Sequence, residues 1–545
     1  MSEDAAADRI RRVALEAFGF EVLRPGQLDA IESVVVGRDT LAVMSTGSGK
    51  SAIYQIAGLL IEGATVVVSP LIALQRDQVE DLQDRANENL GAAQLNSTVS
   101  RSARDRVLAD LADDALEFLL LAPEQLANAE LLEELSAASP SLLVVDEAHC
   151  ISEWGHDFRP EYLRLGAAAQ ALGNPTILAL TATASPPVRD EIVDRLGLRD
   201  PSIIVRGFDR PNIHLSVDRF YEEPHHRRAL LDRVAAAPPQ GIVYVPTRKG
   251  AETLASELSD RGVAAAAYHG GLSAKVRTGV QNRFMADELH CVVATTAFGM
   301  GVDKADVRWV FHSAPADSLD SYYQELGRCG RDGDPAETVL FYRQEDLGLR
   351  RFFAGSGKVG EDVLERVATL VDLAVGPVEP TALLTESGLS ESKLTAAVSR
   401  LEDAGALDVL PSGQIVEARD SPDVRTAVAD AVVIEEQRRT FDRSRLEMMR
   451  GYAETRECRR SFLLSYFGEP YEAPCGSCDN CDDGLSDAPP LGIPFAVGSR
   501  VAHGQWGVGV IQRYDEETVA VLFDDVGYKT LALDIVVERA LLTQI

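Results

Sequence analysis

Residues Thr40 to Ser51 read Thr-Leu-Ala-Val-Met-Ser-Thr-Gly-Ser-Gly-Lys-Ser. This stretch decides the fold class: a buried strand runs into a Gly/Ser turn that opens a helical pattern, the setting a phosphate-binding loop requires. The backbone amides of Thr46, Gly47, Ser48 and Gly49 are expected to cradle phosphates, Lys50 to reach the β and γ groups, and the Ser51 hydroxyl to hold magnesium. Met44 stands where the general loop pattern begins with glycine. Downstream, Leu142-Leu-Val-Val-Asp-Glu-Ala-His149 sets two acids at the end of a second buried strand. Asp146 is expected to bind magnesium, and Glu147 to orient or deprotonate the attacking water.

Around these two segments, short β-branched runs alternate with helical patterns, the signature of parallel α/β units. Strands are predicted at Thr40 to Met44, Thr65 to Val68, Leu142 to Val145 and Ile177 to Leu180. A second α/β domain is predicted from runs at Gly241 to Val245, Cys291 to Ala294, Trp309 to His312 and Thr338 to Tyr342. Most motifs fall just after a strand, where open α/β sheets place their ligands. In the second domain, Gln324-Glu-Leu-Gly-Arg-Cys-Gly-Arg331 offers Arg328 and Arg331 as candidate arginine fingers, whose guanidinium groups would stabilise charge developing on a γ-phosphate.

At 545 residues the chain is too long for one core and predicts several domains. It contains 53 Lys and Arg against 85 Asp and Glu, a formal charge of −32, so attraction to phosphates must be local and not global. The sequence has no apolar run long enough for a membrane span and a charged N-terminal segment, which point to a cytoplasmic protein, or a nuclear one in a eukaryote. Of seven cysteines, Cys458, Cys475, Cys478 and Cys481 fall together. Three of these four lie in one tight loop, a grouping that suits a tetrahedral zinc ion with no open position, hence a structural role.

These motifs resemble those of superfamily 2 helicases, and several details resemble the RecQ family, over about residues 10 to 345 and 419 to 482. Phe18-Gly-Phe-Glu-Val-Leu-Arg-Pro-Gly-Gln27 is similar to the family's adenine-reading motif, which implies that Gln27 hydrogen-bonds the base and Arg24 helps close the pocket. The aromatic-rich stretch Cys150 to Tyr162 is the most diagnostic, although Glu153 stands where the family usually has Gln. Trp154 and Phe158 either stack on bases or pack internally, and His156 and Arg159 would contact strand or nucleotide. The segments Ser69 to Gln78, Thr181-Ala-Thr-Ala184, Tyr268 to Leu272 and Ala294 to Asp303 also match. The resemblance implies sugar-phosphate contacts for Thr181 and Thr183, an ATP contact for Asp303, and a catalytic set of Lys50, Asp146, Glu147, Gln324, Arg328 and Arg331.

The expected fold class is α/β: two RecA-like parallel-sheet motor domains (1–206 and 207–350), a winged-helix-like module (358–418), a helical zinc-binding domain (419–485), a linker (486–494) and a Tudor-like β-barrel (495–545). The module turns at Pro411-Ser412-Gly413, and Leu394, Val398 and Leu401 form its buried face. Typical RecQ proteins carry such a module after the zinc domain. With three basic residues against eleven acids between Glu361 and Ala418, protein docking or spacing competes with DNA binding as its role. Arg438 to Arg460 holds eight arginines against four acids, and either contacts phosphates or pairs with the motor domains.

The barrel resembles the tail of some superfamily 1 repair helicases, related to RNA-polymerase-binding domains. Its four basic residues against seven acids from Ile493 favour a protein partner such as RNA polymerase or a repair factor, with Trp506 as anchor or as core. The resulting expectation is a 3′-to-5′ DNA helicase using ATP, magnesium and zinc in repair or recombination, the polarity resting on the resemblance alone. The alternative is a translocase that remodels protein-DNA or transcription complexes with little unwinding.

Overall fold

The structure, a computed structural model, describes residues 3–545 apart from 71, 86–90, 97–98, 153–158, 300–303, 349, 351–358, 375, 411, 420, 470, 486–493 and 515–517. Asp303, Trp154, His156, Phe158 and nearly all of the expected linker therefore lie outside the described residues. The chain forms two compact units, Met1–Gly207 with Gly357–Arg438, and Phe208–Ser356 with Arg439–Ile545.

In the first unit, β1 (Thr40–Met44), β2 (Thr65–Val68), β3 (Ala92–Leu95), β4 (Phe118–Leu121), β5 (Leu142–Val145), β6 (Thr176–Thr181) and β7 (Ser202–Arg206) form a parallel sheet. Its order is β3-β4-β2-β5-β6-β1-β7. The central strands are apolar and buried along their length, as parallel strands covered on both faces must be. This order sets β6 between β1 and β5, so the loops leaving all three strands meet at one end of the sheet. Asp39 fastens the start of β1: its carboxylate accepts from the amides of Ile177 (2.9 Å) and Arg199 (2.8 Å) and from the Arg199 guanidinium (3.1 Å).

The second unit repeats the plan. Strands β8 (Ile213–Arg219), β9 (Gly241–Tyr244), β10 (Ala265–Tyr268), β11 (Cys291–Ala294), β12 (Trp309–His312) and β13 (Ala336–Tyr342) lie parallel in the order β10-β11-β9-β12-β13-β8.

Between residues 359 and 418 of the first unit, three helices are followed by a hairpin, β14 (Leu407–Val409) to β15 (Ile415–Glu417). Leu394, Val398 and Leu401 are buried as predicted. The helix Val424–Glu454 adds Ala427, Val428 and Ala431 to that core, so the module's body extends beyond residue 418. The hairpin tip is applied to the first α/β domain: Gly413 has φ +85°, and a Cβ there would lie 2.5 Å from the Arg164 guanidinium carbon. Arg195 pairs with Glu402 at 3.5 Å and with Asp403, while Arg400 is buried against Glu435 at 2.9 Å. Arg400 is thus committed internally.

The C-terminal segment is an antiparallel sheet of β16 (Arg500–His503), β17 (Gly507–Tyr514), β18 (Thr518–Phe523), β19 (Gly527–Ala532) and β20 (Leu542–Gln544), in the order β19-β18-β17-β16-β20. The sequence pattern predicts a strand over Thr530 to Ile535; in the structure the strand stops at Ala532, and Leu533–Glu538 is helical. Ile535 and Val537 are exposed and Val536 is buried, an alternation that a strand also shows, so the residue pattern alone does not separate the two conformations here. Trp506 stacks on His503 at 4.2 Å and meets the edge of Phe523, half-buried over the barrel core.

Candidate nucleotide and zinc sites

The phosphate loop leaves β1 and opens the helix Lys50–Gly58. Gly47 (φ +79°) and Gly49 (φ +77°) adopt left-handed backbone, which only glycine enters without penalty. The approach at Gly49 is also close, since a Cβ would come within 2.8 Å of the Gln27 amide nitrogen. Lys50 Nζ donates to the carbonyls of Met44 (3.1 Å) and Ser45 (3.4 Å), which holds it over the loop. Gln27 is buried and its amide donates to the carbonyls of Ser48 (3.0 Å) and Gly49 (2.9 Å), while its oxygen accepts from the Arg24 amide at 2.8 Å. Arg24 in turn donates to the Gly47 carbonyl. The residues expected to read adenine therefore brace the phosphate loop.

At the end of β5, Asp146 is buried and accepts weakly from the Ser69 hydroxyl at 3.5 Å. Burial first, and then the neighbouring Glu147, push the Asp146 carboxyl up to about 7, against the pull of the Lys50 ammonium. Two adjacent acids with this little compensation form a site short of positive charge, the donor set a divalent cation satisfies. Glu147 has φ 49° and ψ 45°, a left-handed conformation that costs an ordinary residue about 1–3 kcal/mol. The turn it opens places His149 Nδ1 3.4 Å from Glu147 Oε2 and 2.9 Å from Thr181 Oγ1. The Thr181 hydroxyl donates to the Thr183 carbonyl (3.0 Å), so it accepts from His149, and the imidazole proton sits on Nδ1. The Nδ1 proton is thus committed to Thr181 at the end of β6, and Glu147 Oε2 lies beside the ring without a hydrogen bond of its own among the described residues. Reasoning from sequence quoted His149 without giving it a role; its signal was the Asp-Glu-Ala-His spacing together with Thr181.

In the first unit, further residues surround the phosphate loop and the paired acids. The Gln78 amide donates to the Ser51 hydroxyl at 3.3 Å, and Tyr162 donates to the Asp146 carbonyl at 2.9 Å. Arg159 reaches back to the Pro70 carbonyl at 3.3 Å. In the second unit, Gln324 lies on the helix Leu319–Leu326, and the buried Arg328 just beyond it donates to the Gly299 carbonyl. Arg331 follows, half-buried.

The sulfur atoms of Cys458, Cys475, Cys478 and Cys481 all lie within 4.8 Å of one another, and those of Cys475 and Cys481 are 3.8 Å apart. A tetrahedral zinc with Zn–S bonds of about 2.3 Å requires sulfur–sulfur edges of about 3.8 Å. The four cysteines therefore fit zinc, and hydrogen bonds from Cys475 and Cys478 already hold the Cys458 thiol well below the ordinary range.

The loop they form covers the edge of the second sheet. Leu215 on β8 bridges Cys478, its amide donates to the Ser477 carbonyl (3.3 Å), and the Val217 amide donates to Asp479 (2.9 Å). The nearby arginines are largely engaged. Arg459 pairs with Asp479 at 2.5 Å, Arg460 donates to the Ile213 carbonyl at 2.7 Å, Arg445 meets Asp320 at 3.4 Å, and Arg450 bridges Glu447 and Glu454. Pairing with the motor domains, one of the two readings of the Arg438 to Arg460 stretch, describes Arg445 and Arg460, whereas Arg450 and Arg459 pair within the helix and the zinc loop of their own region.

Family models match in three blocks: DEAD/DEAH box helicase over residues 24–192, helicase conserved C-terminal domain over 226–333, and RecQ zinc-binding over 418–482. The chain is 35% identical over 478 residues to the ATP-dependent DNA helicase RecQ of Pasteurella multocida, covering 86% of this chain and 63% of that protein. It is 34% identical over 482 residues to the probable ATP-dependent DNA helicase RecS of Bacillus subtilis, covering 88% of this chain and 93% of that one. It thus spans just under two thirds of the Pasteurella protein but nearly all of the Bacillus one. Among solved structures, the helicase MrfA bound to DNA and AMPPNP is similar with a TM-score of 0.53 at 20% identity, over 76% of this chain and 62% of that one, a likeness of fold. With the phosphate loop, the paired acids, the four-cysteine site and a relative matched along nearly its full length, the chain belongs to the RecQ family of ATP-dependent DNA helicases.

Proposed function

We propose that this chain is an ATP- and magnesium-dependent DNA helicase that moves 3′ to 5′ along one strand and serves DNA repair or recombination. The observation that carries the reading is the placement of Glu147 Oε2 3.4 Å from His149, whose ring is hydrogen-bonded to Thr181, which sets the expected water-activating acid against the segment expected to touch the sugar-phosphate backbone. Lys50 and the loop amides bind the phosphates, and Ser51 and Asp146 hold magnesium, which when bound neutralises charge on the β and γ phosphates. Glu147 accepts the proton of the attacking water or orients it. Arg328 and Arg331 stabilise the charge that develops on the γ-phosphate, and Gln324 assists them. Asp303 joins the nucleotide contacts, and Arg24 and Gln27 recognise adenine. Trp154, His156, Phe158, Arg159, Thr181 and Thr183 form the strand track.

A translocase with little unwinding is the second reading. It is favoured by the acidic module, whose hairpin tip is applied to Arg164 and whose Arg400 is paired internally. The barrel's acidic balance supports a protein partner, such as RNA polymerase or a repair factor, and the expected location is the cytoplasm. Among the described residues no helix is long and apolar enough to cross a membrane.

ATP turnover measured with single-stranded DNA, forked and 3′-tailed duplexes, and RNA tests the site. DNA is expected to stimulate hydrolysis more than RNA does, and Lys50→Ala to lower turnover by about 100-fold or more. Unaltered turnover in Lys50→Ala would refute the assignment.

A further inference from the structure

The C-terminal barrel is packed against the helices that flank the zinc site. Gly527, at the turn into β19, has φ +69° and lies so close to the helix Val424–Glu454 that a Cβ would meet Ser444 Oγ at 2.4 Å. The Arg513 guanidinium sits 3.7 Å above the Phe462 ring and pairs with Glu457 at 3.2 Å. Between these points Tyr528, 3% exposed, stacks on Tyr466 with ring centroids 5.3 Å apart and planes at 27°.

Tyr466 carries the contact further. Its hydroxyl donates to Asp320 Oδ2 at 2.5 Å, and Arg445 approaches the same oxygen at 3.4 Å. Tyr466, Asp320 and Arg445 are all buried. Burial and the Asp320 charge hold the Tyr466 phenol well above its ordinary range, so it remains a donor. Asp320 lies in the first turn of the helix Leu319–Leu326, which presents Gln324 and leads directly into Arg328. One turn further along the same face of that helix, Tyr323 donates to the Phe208 carbonyl at 2.6 Å and packs against Phe467, which stacks on Phe208 at 4.5 Å. The helix is thus gripped at Asp320 and Tyr323 by residues that precede the Cys475–Cys481 loop, and the Asp320 grip is backed by Tyr528 of the C-terminal sheet.

We infer that Tyr528 and Tyr466 are positioning residues for ATP hydrolysis: the barrel, through Tyr528 on Tyr466 and Tyr466 on Asp320, fixes the helix that sets Gln324, Arg328 and Arg331. The barrel is on this account part of the motor as well as a docking module. The inference rests on the proposal that these arginines act on the γ-phosphate. Positioning acts on the transition state more than on the bound nucleotide, so its loss lowers kcat and leaves KM nearly unchanged.

The test uses the full chain with saturating single-stranded DNA and compares Tyr528→Ala, Tyr528→Phe, Tyr466→Phe and Arg331→Ala by steady-state ATPase kinetics, with zinc content and circular dichroism as checks on folding. Tyr528→Ala is expected to lower kcat about tenfold with KM for ATP within about twofold, since small misplacements of catalytic groups have effects of this order. Tyr528→Phe keeps the ring and should restore kcat, whereas Tyr466→Phe keeps the stack but loses the Asp320 bond and should resemble Tyr528→Ala. Where Tyr528→Ala disturbs folding, Tyr466→Phe alone decides. Wild-type kcat in Tyr466→Phe, with Arg331→Ala inactive, overturns the inference. Wild-type kcat in Arg331→Ala overturns the arginine assignment beneath it.

Discussion

Asp39 shows how much a single carboxylate contributes away from the reacting groups. It is 1% exposed and ties the start of β1 to β6 and to the segment after the helix Pro186–Leu196. Burial alone would raise its pKa, but the Arg199 guanidinium and the Arg199 and Ile177 amides together hold it below 3.8. A depressed carboxyl pKa contributes stability that is fully present above the unfolded value and is lost as pH falls through the folded one. Asp39→Asn should therefore cost about 1.5–3 kcal/mol in urea unfolding near pH 7. Most of that difference should vanish once the wild-type carboxylate is itself protonated in acid; a difference that persists unchanged there would contradict the assignment. The placement of the candidate nucleotide residues was legible because it is local: Gly47, Gly49 and Lys50 follow β1, and Asp146 and Glu147 follow β5. The partners of Gln27 and the His149–Thr181 hydrogen bond were not, because they depend on which segments become neighbours.

At the scale of elements, buried strands carrying β-branched residues were read with the right ends, as at β1, β2 and β5, whereas β3, Ala-Ala-Gln-Leu, and β4, Phe-Leu-Leu-Leu, have none and were not read. The hairpin of the acidic module was predicted from its Pro-Ser-Gly turn, but its seat on Arg164 and Arg195 was not, since sequence does not reveal which surfaces meet. That seat has a pH signature. Burial first, then Asp403, raise the Glu402 carboxyl to about 7 against the attraction of Arg195. A raised carboxyl pKa means the native state binds the proton more tightly, so stability falls as pH rises from about 4.5 through 7. Glu402→Gln should accordingly stabilise the chain by about 1–3 kcal/mol near pH 8 and change little below about pH 4.5. Equal effects at both pH values would contradict it. The zinc loop makes a separate prediction. Because it pairs with the β8 edge, Cys478→Ser should lower bound zinc by at least about half and lower the melting temperature by several degrees, measured by metal analysis and calorimetry. Full zinc occupancy in that variant would remove Cys478 from the ligand set.

For the whole molecule, the charge of −32 coexists with a DNA-directed reading because recognition is confined to a few local groups. The eight arginines between Arg438 and Arg460 had looked like the most basic contact surface, yet Arg445, Arg450, Arg459 and Arg460 spend their charge on acids and carbonyls of their own unit. The strand is accordingly expected to be held by the motor loops, and unwinding to depend on ATP turnover at Lys50 and Glu147. Strand displacement on a 3′-tailed DNA duplex, followed with ATP, with a non-hydrolysable analogue and with Lys50→Ala, tests this most directly. Separation of the strands with ATP alone, lost in the variant and on a 5′-tailed duplex, is the predicted result. DNA-stimulated hydrolysis that leaves every duplex intact would contradict it.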